Sequence, residues 1–305
     1  MKSLLNKIKN VKNLVQFYRE ELDKSKILAA KSLINNFKHT DRDFNFSDIE
    51  FSVFSQWGDD GIIQYLIHKL NISNKTFIEF GVGNYLEANT RFLLINNNWK
   101  GLIFDGSEKN INFVKNDSIY WKYNLTAKHL FITKENINHE IKNCGFEGEI
   151  GILHIDIDGN DFWIWDEINV VNPEIVIMEY NSVFGNNAAI TVPYDKNFYV
   201  TNAHYSNLFF GASLKAMCFL AEKKNYSFVG SNTNGNNAYF VRNDKLKSIQ
   251  KITADEGYYE INARQNRNEN GELTFKSDHE MIKACKDLNV INVETNELVP
   301  LKNYL

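Results

Sequence analysis

A chain of 305 residues, 43% hydrophobic and 24% charged, is long enough for one large α/β domain or two small ones. Its formal net charge of −4 gives no global attraction to nucleic acid or to an anionic membrane. Three dispersed cysteines, Cys144, Cys218 and Cys285, form no CxxC pair, which argues against a disulfide framework or a zinc knuckle and suits a reducing cytosol.

No apolar run approaches the ~20 residues of a membrane span. The N-terminus, MKSLLNKIKN, carries lysines where a signal peptide needs an unbroken apolar core, so a cytoplasmic location is expected. Residues 1–48 read as a helical extension. Leu4, Leu5, Ile8, Val11, Leu14, Val15 and Tyr18 recur at helical spacing, and Leu22, Ile27, Leu28, Leu33 and Ile34 continue the pattern. One or two amphipathic helices follow from it, with a homo-oligomer contact or a lid as the expected use. His39 to Ser47 is polar and reads as a linker.

The central domain is expected over residues 49–245. Asp59 and Asp60 precede Ile62, Ile63, Leu66 and Ile67, which marks a helix start with acids favourably placed for its dipole. Gln56 and Asp60 have the alternative of facing a ligand. Lys75 to Ser107 reads as strand, glycine loop, helix, strand: Thr76–Phe80, Gly81-Val82-Gly83, a helix over Tyr85 to Asn96, and Gly101–Phe104 closed by Asp105. Such a βαβ unit holds a nucleotide at the carboxyl ends of its strands. A helix over 108–115, a strand over 128–133 (KHLFIT), a helix over 136–144, a strand over 149–157 and a strand over 173–178 extend the alternation. The prediction is a doubly wound, mostly parallel sheet closed by an antiparallel hairpin over 226–230 and 238–242. Residues 182–210 form a long aperiodic loop, of the kind that is more often functional than idle. Residues 246–305 read as a polar extension packed on the core, with weak helical signal near 281–288.

Two constellations carry chemistry. Gly81 and Gly83 allow close approach of the backbone to a ligand. The third glycine of a dinucleotide fingerprint would fall at position 86, where Leu86 stands, which weakens a nicotinamide-dependent oxidoreductase reading. Glu79 suits a ligand with an amino-acid end, and Asp105 is the residue type that accepts ribose hydroxyls. The second constellation is Asp156, Asp158 and Asp161, with Glu179 and Asn181 ending the next strand. Acids on adjacent strand ends converge on the crevice and repel unless a proton or cation relieves them. Oxygen ligands of this kind suit Mg²⁺, Mn²⁺ or Ca²⁺, with Asp156, Glu179 and Asn181 as the expected set. Asp161 has the alternative of capping the following helix. Asp158 or His204, in the long loop, is the expected general base.

FIEFGVG with IFDGS resembles the first glycine motif and second-strand acid of class I S-adenosylmethionine-dependent methyltransferases. ILHIDIDGNDFWIW, IVIMEYNSVFG, VPYD, GASLKAM and GSNTNGNNAYFVRND are similar to a bacterial branch near the FkbM-like methyltransferases. The resemblance covers residues 50–245. It implies a seven-stranded methyltransferase sheet and O-methylation of a sugar, such as a nucleotide-activated heptose, for capsular or surface polysaccharide. It further implies that Glu79, Gly81 and Gly83 hold the methionine end of the cofactor, Asp105 the ribose, and Thr133 to Asn136 the adenine. Asp156 falls nearest the methyl group. Tyr85 departs from the pattern, standing near a further glycine, and is expected either to narrow the pocket or to form one wall. A cofactor-binding scaffold without turnover is the remaining alternative.

Overall fold

The computed structural model describes residues 2–40, 43–246, 249–262 and 266–305; the side chains of residues 2–9 and of Lys12 lie outside that description. Its centre is a seven-stranded sheet in the order β3-β2-β1-β4-β5-β8-β7. The strands are β1 Thr76–Phe80, β2 Lys100–Asp105, β3 Leu125–His129, β4 Gly148–Ile155, β5 Val171–Glu179, β7 Tyr226–Ser231 and β8 Asn237–Arg242. β1 to β5 run parallel, and β8 pairs antiparallel with both β5 and β7. This is the predicted doubly wound sheet with its closing hairpin. The strand order reverses between β1 and β4, which opens the crevice at their carboxyl ends.

Side-chain alternation places residues of each central strand on both faces. Phe77, Ile103, Ile152 and Ile177 join one apolar layer, under the helices Asp59–Lys69 and Arg91–Asn97. Ile78, Leu102, Leu153 and Met178 join the other, with the helices Asp161–Glu167 and Leu214–Lys223. Near-continuous apolar runs are what a sheet covered on both faces requires.

Three expectations are corrected. The helix after the glycine loop begins at Arg91, not Tyr85. β3 starts at Leu125 and ends at His129, so most of the apolar run after it is loop. The long insert and the C-terminal extension form a joint structure: β6 Ile190–Thr191 pairs with β9 Asn289–Asn292, which pairs with β10 Glu297–Pro300. Val183, Phe184, Leu208, Met281, Val290 and Leu301 share a third apolar cluster beneath this small sheet.

The N-terminal extension is a single helix, Lys2–Lys38. Ala30, Ile34 and Phe37 are buried with the central core, while Val11, Val15, Tyr18 and Leu22 are each more than half exposed. The side chains of Leu4, Leu5 and Ile8 lie outside the described residues. No helix among the described residues is long and apolar enough to cross a membrane.

Candidate active site

The crevice holds two adjoining chambers. One, of about 460 Å³, is lined by Gly83, Asp105, Asn110, Phe131, Asp156 and Tyr199. The other, of about 410 Å³, is lined by Gln56, Trp57, Glu79, His154, Asp156 and Asn236. Both volumes suit a small organic ligand.

Gly81 is where β1 and β4 meet. A Cβ there would lie 1.5 Å from the Asp156 carbonyl oxygen, and its φ of +73° is left-handed, so glycine alone fits. Gly83, at φ +55°, donates its N–H to Asp105 Oδ2 at 2.7 Å. Asp105 Oδ1 accepts from Ser107 N (2.8 Å) and Asn110 Nδ2 (3.1 Å). Three of roughly four lone-pair positions are thereby filled, which leaves one for a hydroxyl of a ligand.

Glu79 is more committed. Asn89 N and His154 Nδ1 donate to its Oε1 at 2.9 and 2.8 Å; Thr90 donates to Oε2 through both N (3.1 Å) and Oγ1. With four donors from its own chain, Glu79 shapes the loop, and the expected direct contact with a ligand's amino-acid end is corrected to a positioning role. Burial opposes protonation of His154, but the hydrogen bond and charge of Glu79 outweigh it and the imidazole's affinity for a proton is raised. Tyr85 occupies a left-handed conformation (φ +60°), which glycine would adopt more readily. Its ring is fully buried, bonded to Thr90 Oγ1 at 3.0 Å, and forms neither a narrowing nor a wall of the cleft.

The second constellation is gathered, with one exchange. Ligand-type oxygens of Asp156, Asp158 and Glu179 lie within 4.8 Å of one another. Asn181 is engaged with its own backbone surroundings: it is buried, its Nδ2 donates to the carbonyls of Leu208 and Phe210, and its Oδ1 accepts from Val183 N. Asp158 takes its place among the oxygens. Asp161 ties the connecting loop, accepting from Ile157 N and Gly159 N at 2.8 Å each, and burial pushes it up to about 6. Burial, then the charge of Asp158, pushes Asp156 up to about 8. Burial and then Asp156 hold Glu179 well above the usual carboxylate range. Glu179 Oε2 is buried without a hydrogen-bond partner.

His204 lies elsewhere. Its Nδ1 contacts Ser206 Oγ at 2.8 Å and Cys285 Sγ at 3.3 Å, its ring stacks near Tyr205, and it lines neither chamber. Its expected role as general base is withdrawn in favour of a structural one. Thr133 and Asn136 also stand back: Asn136 Oδ1 accepts from Thr133 N, and its Nδ2 donates to the Phe131 carbonyl. Leu130, Phe131 and Ile132 line the cleft instead, because β3 ends earlier than its apolar run suggests. Gln56 lines the second chamber, while Asp60 gathers the backbone N–H groups of Val53, Phe54 and Ser55.

Residue types missed in the sequence are Trp57, Asn110 and Asn236. The asparagine-rich run Asn232–Asn237 was a visible signal, since a hairpin turn needs only one or two such residues.

No protein-family model and no curated protein sequence matches the chain. Among solved structures it is similar to the N-terminal domain of EvdMO1 with SAH bound, at 12% identity and a TM-score of 0.41 over 73% of this chain and 94% of that one. A S-adenosylmethionine-dependent methyltransferase from Clostridium acetobutylicum gives 8% and 0.40 over 65% and 92%. Magnesium protoporphyrin IX methyltransferase from Synechocystis, with bound SAH, gives 10% and 0.41 over 68% and 93%. At this distance the chemistry of the cleft has to be read from its own residues.

Proposed function

We propose that the crevice binds S-adenosylmethionine across the ends of β1, β2 and β4, and that the chain transfers the methyl group to a sugar hydroxyl oxygen, in keeping with a role in surface polysaccharide. The observation that carries the reading is the pairing of two half-sites around Gly81. On one side a glycine loop is bonded to a β2 acid with one lone-pair position open; on the other stands Asp156, whose carboxyl is pushed up to about 8, into the working range of a base. A dinucleotide fits less well. Its pyrophosphate needs a helix N-terminus directly after the glycines, and here the helix begins only at Arg91.

The sulfonium brings a methyl group with its leaving group already in place. What remains for the protein is alignment, worth roughly 7–11 kcal/mol at best, and removal of the hydroxyl proton. Asp156 is the base. As the oxygen–carbon bond forms and the sulfur–carbon bond breaks, the proton passes to its carboxylate. Glu179, in side-chain hydrogen-bonding contact with Asp156, holds its own proton and orients the base. Asp158 keeps the field around both negative. With their protons displaced, Asp156, Asp158 and Glu179 would instead hold Mg²⁺ or Mn²⁺ through one carboxylate oxygen each, and the ion would polarise the acceptor hydroxyl.

Titration calorimetry with S-adenosylmethionine and with NAD tests the donor side. S-adenosylmethionine should bind at one site and lose at least tenfold in affinity in Asp105→Ala. Binding of NAD alone would overturn the reading.

A further inference from the structure

The turn joining β7 to β8 overhangs the carboxyl cluster: Asn234 and Asn236 line the space shared by Gln56, Trp57, Asp158 and Glu179. Its amides are wired to one buried acid. Asp59 Oδ1 accepts from Asn232 Nδ2 (3.1 Å), Asn237 Nδ2 (3.0 Å) and the Tyr239 hydroxyl. A carboxylate only accepts, so Asn232 must turn its nitrogen toward Asp59. Asn232 Oδ1 then accepts the N–H groups of Asn236 and Asn237, both at 3.2 Å, and its Nδ2 also reaches Asn236 Oδ1 at 2.9 Å. Asn234 Nδ2 donates to the same oxygen at 3.3 Å. The oxygen of Asn236 is therefore occupied from within the turn, and its NH₂ is the group presented to the cleft. Glu50 pins the turn from outside, accepting from Thr233 N at 2.6 Å and from Thr233 Oγ1.

We propose that Asn236 is an acceptor-binding residue, its amide polarity set by Asp59 through Asn232, and that it donates to an oxygen of an uncharged, polyhydroxylated acceptor. The inference rests on the methyl-transfer reading and narrows its substrate. Amide donors, carboxyl acceptors and the apolar face of Trp57 match hydroxyl and ring-oxygen groups. Among the described residues lining this space three are acids and none is Lys or Arg. A nucleotide-activated sugar, the form implied by the sequence resemblance, would bring a diphosphate beside Asp158 into a space whose described lining residues offer no cation to meet it.

The test uses initial rates on the full chain with methyl-labelled S-adenosylmethionine. The acceptors are methyl glycosides of hexoses and heptoses, the matching sugar 1-phosphates, and nucleoside-diphosphate sugars. Wild type should prefer methyl glycosides. Asn236→Ala should raise the acceptor KM at least tenfold with a much smaller fall in kcat, while calorimetric affinity for S-adenosylmethionine stays within threefold. Asp59→Asn, which frees Asn232 to flip, should move KM in the same direction. Should Asp59→Asn fail to fold, Asn236→Ala decides the matter alone. An unchanged KM in Asn236→Ala, or a loss confined to cofactor affinity, overturns the proposal. Preference for the phosphorylated acceptors overturns it while leaving methyl transfer standing. Turnover of none of these sugars overturns both the proposal and the sugar reading.

Discussion

Asp156 meets opposing demands. Burial and the neighbouring Asp158 push it up to about 8, so near neutral pH much of it is protonated, and the form that accepts a proton accumulates as pH rises. Activity limited by this base should therefore climb through about pH 8. Stability should run the other way. A carboxyl that titrates near 3.9 when unfolded and about 8 when folded favours folding while protonated, and that contribution is lost as pH rises through the upper value. Asp156→Asn should raise stability at pH 8 by about 1 kcal/mol or more, since each pKa unit is worth ~1.4 kcal/mol. It should also lower kcat/KM by about 10²–10⁴, the usual worth of a positioned base. Thermal melts and pH–rate profiles on the same variant check both signs. The pairing of Asp156 with Glu179 was legible, because acids ending adjacent apolar strands have one crevice to face. Asn181 was misread because its partners, Leu208 and Phe210, lie in a loop whose path no local pattern reveals.

The segment between β1 and the helix Arg91–Asn97 shows how elements are displaced from their apolar periodicity. Leu86, Phe92 and Leu93 keep helical spacing through it. Two local facts overrule the pattern: Tyr85 sits in a left-handed conformation that no helix accepts, and Glu79 captures the N–H groups of Asn89 and Thr90 at the helix entrance. Tyr85→Phe keeps the ring packed and removes only the Thr90 contact, so urea denaturation should show a loss of about 1 kcal/mol. Gly81→Ala is a different matter. Its methyl would drive into the Asp156 carbonyl, and the variant should lose S-adenosylmethionine binding in calorimetry together with at least about 2 kcal/mol of stability. Binding retained by Gly81→Ala would mean that β1 and β4 need not touch. β3 was misplaced for a related reason: an apolar run reads alike whether it pairs in a sheet or walls a ligand cleft.

At the scale of the whole molecule, the mostly parallel sheet and its closing hairpin were legible from alternating strands and helices, whereas the small sheet was not. β6 has two residues, and its partner β9, itself paired with β10, is about a hundred positions away. His204 was misassigned by the same blindness, its Cys285 contact spanning 81 residues. The N-terminal helix leaves Val11, Val15, Tyr18 and Leu22 facing outward at the alternating spacing of a two-stranded seam. We propose a second copy of the chain, rather than a lid contact, as the use of this face. Light scattering should give a dimer mass for the native chain and a monomer mass for Val15→Glu with Leu22→Glu. Methyl transfer to oxygen can be read from one spectrum. With S-adenosylmethionine carrying a ¹³C methyl and a methyl-glycoside acceptor, the carbon signal should move from the sulfonium to an ether position, and Asp156→Asn should nearly abolish that movement. A methyl signal that stays on sulfur, or appears on nitrogen, would contradict it.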